Sequence, residues 1–294
     1  MSLIPVARPP MRGPARSRMA GLSLIELMIA MVLGLIVLGA AFAVFMSNQR
    51  TFGANEGVNR IQESARVAFE LMSRDIRAAG GSACSNMSVV ETTDGDSVAF
   101  ANTPVFADAE GLTVVSGDDA AYRVVNSSAT SVQFDPVQVP DATEIFEANN
   151  LLLLCNARKT FLVRAASVSS NGLTFPALPG GYDPTNDEFA PPAAVVIARF
   201  RNVRWYVDEN GRGGSSLWVR RQGGAPEEVA EGITALEFEV LEAGDTAYAA
   251  PGGGTDWNNV IAVRMNMTLE GAEIDGQELT RTASNVISLR SRTL

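Results

Sequence analysis

Apolar residues along this chain follow three successive patterns. From Leu22 to Met46 the sequence reads LSLIELMIAMVLGLIVLGAAFAVFM, and the 20 residues Leu27–Met46 hold no charge. A helix of that length spans roughly 30 Å, the thickness of a bilayer core. Being apolar on every side, it predicts a membrane span over 22–46. Further on, Val58, Ile61, Ala65, Ala68, Met72, Ile76 and Ala79 recur at intervals of three or four, the period of one helix face. Arg60, Glu63, Arg66, Glu70, Arg74 and Asp75 are expected on the other faces. Gly80-Gly81 is a stop signal. The two stretches predict one helix over 22–79, ~87 Å long, whose striped half packs on the chain's own head. Gly34, Gly39, Gly53 and Gly57 interrupt it, each at about 0.8–1.0 kcal/mol relative to Ala.

Residues 82–294 change character. Turn residues recur, and short runs such as GLTVVSG, AAYRVV, SVQFDP, LLLLC and AAVVIARF read as strands. Val203, Trp205 and Val207 alternate, as do Leu217 and Val219 across the Asn210-Gly211 turn, which predicts a hairpin. Leu236, Phe238 and Val240, and then Ile261, Val263, Met265, Met267 and Leu269, give two more strands; Arg264, Asn266 and Thr268 mark the wet face of the second. The loops near 176–194 and 243–258, rich in Gly and Pro, are expected to be exposed. The fold class is therefore α+β, a long N-terminal helix against a mostly antiparallel sheet.

Composition narrows the chemistry. The 294 residues include 33 acidic and 23 basic side chains, for a formal net charge of −10, with no His and two Cys. Such a balance argues against direct nucleic-acid binding by phosphate neutralisation. Arg199, Arg201 and Arg204 form the most visible basic cluster and read as a solvated strand edge. Without His, the triads that use it are excluded, and two Cys cannot build a four-thiolate metal site. Asp208-Glu209-Asn210-Gly211-Arg212 places Arg at a ligand position of a calcium loop and lacks the closing Glu, so it reads as a hairpin turn. Pro251–Gly254 lacks the Lys of a phosphate loop. The acids at Asp118–Asp119 and in Thr185–Phe189 read as solvated loops. No catalytic residue, metal or cofactor is expected.

The start of the chain carries the sharpest signal. Residues 1–21 contain Arg8, Arg12, Arg16 and Arg18 and no acid, which orients them to the cytoplasm and the head across the membrane. Glu26 lies within the apolar run, where a carboxylate costs on the order of 2.5–3.5 kcal/mol at a helix centre. A passive anchor or an ordinary secretory signal has no use for it, although a carboxylate this near the end could sit at the interface. At a spacing of four residues, Leu22 and Glu26 share a helix face.

The segment GLSLIELM (Gly21–Met28) resembles the prepilin signature of type IV pilins and type II secretion pseudopilins. The resemblance implies cleavage between Gly21 and Leu22, methylation of Leu22, and Glu26 as an assembly charge, with Leu22 standing where the family usually has Phe. The implied cut would leave an α-amine on Leu22, with a reference pKa of ~7.7–8.0, that could neutralise Glu26 within or between subunits. It extends through RIQESARVAFELMSRDIRAAG and Cys84, and more loosely through LTRTASNVISLRSR, to PilW-type minor pilins. The implied fold is pilin-like. The implied function is a processed minor pilin that supports pilus initiation, motility, adhesion or DNA uptake. Its implied partners are prepilin peptidase, other minor and major pilins, the inner-membrane assembly platform, and membrane lipid before assembly. The pilus surface is the implied destination. The family melts part of this helix on assembly, which would fall at Gly34–Gly39. A type II pseudopilin and a fibre-tip adhesin are the alternatives. Cys84 and Cys155 would lie outside the cytoplasm and are expected to pair, two buried thiols being the alternative.

Overall fold

A computed structural model describes residues 23–85, 88–177, 179, 181–185, 189, 194–274 and 277–292; the side chains of 272–274 and 277–278 lie outside that description. Residues up to Phe52 form one unit and those from Gly53 another.

The first unit holds the opening of helix α1 (Leu24–Ala78). No side chain from Leu24 to Phe52 is buried, and Leu33, Ile36, Val37, Phe42 and Phe45 are each more than half exposed. An apolar surface of this kind calls for a membrane or a partner. The helix is long and apolar enough to cross a membrane. It is unbroken through Gly34, Gly39, Gly53 and Gly57.

In the second unit α1 ends as the sequence predicts. Gly80 takes φ +67°, the left-handed conformation favoured just past a helix end. A Cβ there would come within 3.0 Å of Pro104. There follow β1 (Val89–Val90), helix α2 (Gly95–Asn102), β2 (Val105–Asp108), β3 (Gly111–Ser127), β4 (Ser131–Phe134), β5 (Leu151–Cys155), β6 (Lys159–Arg164), β7 (Ser167–Ser169) and β8 (Gly172–Thr174). The chain continues through β9 (Val196–Glu209), β10 (Ser215–Arg221), β11 (Glu227–Glu231), β12 (Ile233–Glu242), β13 (Val260–Ile274) and β14 (Gln277–Ser288).

One sheet runs β1-β6-β5-β9-β3-β4-β8-β7, with β2 beside β3 and β10–β11 beside β9; the other is β12-β13-β14. Only β1–β6 is parallel among the described pairs. The fold is thus α+β with a mostly antiparallel head. Long β9 is the hub: its first half lies between β5 and β3, and its second between β3 and β10. Gly111 lets β3 approach, since a Cβ there would sit 2.1 Å from the Trp205 carbonyl oxygen.

The stripe of α1 is buried where the spacing places it. Ile61, Ala68, Met72, Ile76 and Ala79 join Val203, Trp205, Leu217, Val219, Val263, Met265 and Met267 in one core. A second core gathers Phe134, Phe146, Phe161, Leu152, Leu154 and Ile197.

Three expectations change. Asp75, expected on an outer face, is 6% exposed. The loop near 176–194 is not wholly outside, because Tyr182 and Phe189 are buried with Phe161, their ring centroids 5.8 and 5.5 Å from it. Helix α2 interrupts a region read as strands. Its start is a capping box: Asp94 accepts from the Ser97 amide at 2.8 Å, and the Ser97 hydroxyl accepts from the Asp94 amide at 2.9 Å. The Asp-x-x-Ser spacing was there to be read.

Candidate functional site

Of the residues singled out at the N-terminus, Gly21 and Leu22 lie outside the described residues. Ser23 precedes α1, and its hydroxyl accepts from the Glu26 amide at 3.3 Å while its carbonyl accepts from the Leu27 amide at 3.1 Å. Ser23 therefore acts as the N-cap, satisfying one of the amides that a helix start leaves open. The spacing Ser23-x-x-Glu26 is a capping-box pattern legible in the sequence. Glu26 becomes the third helical residue, at the positive end of the helix dipole, where a carboxylate is favoured. A capping Ser keeps its own backbone out of the helix, so α1 begins at Leu24.

Cys84 and Cys155 are joined by a disulfide, with Cα atoms 6.0 Å apart. Cys155 ends β5 and is fully buried. The chain leaving α1 is held there by further bonds: the Gly80 amide donates to the Val115 carbonyl at 2.9 Å, and the Gly117 amide to that of Gly81 at 2.8 Å. The disulfide thus ties the end of the helix to the centre of the large sheet.

The arginine cluster on β9 is not a strand edge, because β9 has neighbours on both sides. Each arginine meets acid. Arg199 donates to Asp118 at 2.7 Å, Arg201 to Asp75 at 3.1 Å, and Arg204 to Asp108 at 3.1 Å. Asp75 also accepts the indole N–H of Trp205 at 3.0 Å. Arg199, Asp118, Arg201, Asp75 and Trp205 border a cleft of about 1120 Å³ whose walls include Arg74, Asp119, Arg164 and Asn150. Arg74 contacts Asp119, and Arg164 donates to Asp96 at 2.7 Å. The cationic side chains here are internally neutralised, so the cluster offers no phosphate-binding surface of its own. Among the described residues no group of Cys, Asp and Glu is placed to hold a metal ion. In the Asp208–Arg212 turn, Arg212 pairs with Glu228 across the hairpin, as a turn residue rather than a calcium ligand.

Residues 16–42 match the family described as the prokaryotic N-terminal methylation motif. The amino-terminal segment is of the prepilin type. The motif includes Gly21, Leu22 and Glu26 and the first part of the apolar helix, and it ends well before the head. No curated protein matches the chain. Among solved structures, a type IV-like pilin from Thermus thermophilus aligns over 80% of this chain and 98% of its own, at 11% identity and a TM-score of 0.30. A score that low does not let the fold of one chain inform that of the other.

Proposed function

We propose that the chain is a minor pilin of the type IV pilus machinery. Prepilin peptidase cuts between Gly21 and Leu22, and Leu22 is methylated. Residues 22–46 hold the protein in the inner membrane with the head in the periplasm. The helix then leaves lipid for the core of a fibre built with other pilins on the assembly platform. The observation that carries this reading is Glu26. It is a carboxylate three residues into a fully exposed apolar helix, inside the matched motif. Its cost in lipid falls when a cation such as a new α-amine lies close.

The role is structural: the chain supports initiation and assembly of the pilus, and through it motility, adhesion or DNA uptake. Mass spectrometry of the mature N-terminus tests the proposal. A chain beginning at methyl-Leu22 supports it, and an uncut chain or another start overturns it. Deletion strains add the second half: loss of surface pili is expected, whereas loss of exoprotein export with normal pili assigns the chain to a type II secretion pseudopilus.

A further inference from the structure

Most free strand edges in this head are short, charged or covered. β1 has two residues, β2 four and β7 three. β11 has five, including Glu227, Glu228 and Glu231. The outer side of β12 leans toward β9 and β10, and the Gly232 amide just before it donates to the Ser215 carbonyl at 2.9 Å. Short strands, charge and cover are the means by which edges are kept from pairing.

β14 is neither short nor covered by another strand among the described residues. It runs for 12 residues without Pro, carries two charged residues (Glu278 and Arg281), ends its sheet and, among the described residues, pairs with β13 alone. Its exposed described side chains are Thr280, Arg281, Thr282, Ser284, Val286 and Ser288, and Arg281 alone among them is charged. Thr and Val favour extended chain, and the backbone N–H and C=O groups on the outer side face no strand among the described residues. The strand is also held firmly. Ile287 is buried, and Asn285 donates to the Ser73 hydroxyl of α1 at 3.5 Å.

The charges around this edge point to its occupant. In a chain with excess acid, Arg281, Arg290 and Arg77 have no carboxylate within salt-bridge distance among the described residues. Arg290 lies next to Arg77, its amide donating to the Arg77 carbonyl at 3.3 Å. Residues 277–292 hold Glu278 against Arg281, Arg290 and Arg292, so two copies joined through β14 would bring net-positive edges together, and like charges across a strand pair are unfavourable.

We propose that β14 is a docking strand for a different subunit. An extended segment of that subunit, carrying carboxylates opposite Arg281 and Arg290, adds to the sheet as a fourth strand. Main-chain bonds would supply the affinity, and the arginines the register and the choice of partner. The inference rests on the chain being a fibre subunit.

The test uses the full-length protein in the cells that make the fibre. A photo-crosslinking benzoylphenylalanine is placed at Thr282 or Ser284, with Val137, an 89% exposed loop residue, as control. Sheared fibres irradiated with these variants should give adducts from β14 and none from Val137. Peptide mapping should find the adduct on an acidic extended segment of another subunit. Amide exchange across residues 279–288 should be at least about tenfold slower in fibres than in detergent-solubilised monomer. Reversing both charges (Arg281→Glu with Arg290→Glu) should cut adduct yield roughly tenfold while leaving the mature N-terminus unchanged. An adduct to a second copy of this chain overturns the inference, as does no adduct and no slowing in fibres that contain the chain. An unprocessed chain missing from fibres overturns the functional reading itself, and this inference with it.

Discussion

The indole N–H of Trp205 donates to Oδ2 of Asp75 at 3.0 Å, with both residues buried. The carboxylate's other oxygen accepts from Arg201. One acid on the last turns of α1 thus satisfies the largest buried side chain of β9 and a neighbouring cation.

Removing that acid strands two donors. Asp75→Ala should destabilise the protein by about 2–4 kcal/mol, toward the lower end because Arg201 is 21% exposed. Asp75→Asn keeps an acceptor for the indole and should cost less. Urea unfolding of the detergent-solubilised chain, followed by Trp fluorescence, checks both; equal midpoints for Asp75→Ala and wild type would reject the role.

The cap at the start of α1 makes a local prediction. Ser23→Ala should cost about 1 kcal/mol and speed exchange of the Glu26 amide roughly fivefold, whereas Ser23→Asp should restore protection. Hydrogen exchange of the protein in micelles, read by peptide, distinguishes them.

Glu26→Ala removes the charge and leaves the Ser23 cap's main-chain bond in place. That variant should still be cleaved after Gly21 but should be depleted from sheared fibres. Normal incorporation would dismiss Glu26 as an assembly charge.

The disulfide closes a sequence separation of 71 residues. Losing it through the double change Cys84→Ser and Cys155→Ser should lower stability by about 4 kcal/mol in the loop-entropy account. A non-reducing mobility shift reports the bond, and the change in unfolding midpoint reports its worth.

Acid should loosen the β2–β9 region. Burial raises the pKa of Asp108, but the Arg204 guanidinium and the Glu110 and Gly111 amides lower it more, so the folded value lies below the ordinary 3.8. A depressed carboxylate contributes its full stability above the unfolded pKa. That contribution is lost as pH falls from about 3.8 through the lower folded value. Unfolding midpoints measured across this window should fall with acid, and Asp108→Asn should flatten the slope.

Local rules made part of this molecule readable. The apolar run, the spacing of Ile61, Ala68, Met72 and Ile76, the stop at Gly80 and the alternation through Val203 and Trp205 all depend on near neighbours along the chain. So did two signals that went unread, Ser23-x-x-Glu26 and Asp94-x-x-Ser97, because a cap is a contact over three residues.

The burial of Asp75 was not legible. A charged residue beside Met72 and Ile76 can face water or core, and the answer lies with Trp205 and Arg201, well over a hundred residues away. Tyr182 and Phe189 were hidden for a related reason. A Pro- and Gly-rich stretch looks like an outer loop until a distant Phe161 supplies the surface its rings can cover.

By itself the sequence determined that this chain has a membrane-length helix with a prepilin-type start, a striped continuation and a β-rich, acidic head. Tertiary structure alone decided that β9 is the hub of the large sheet, that its arginines are neutralised, and that β14 is left as a long open edge. The division has one cause. Periodicity records which face of an element is apolar, but strand order and the pairing of buried charges are set by contacts between residues far apart in the chain, and no local pattern encodes which partner arrives.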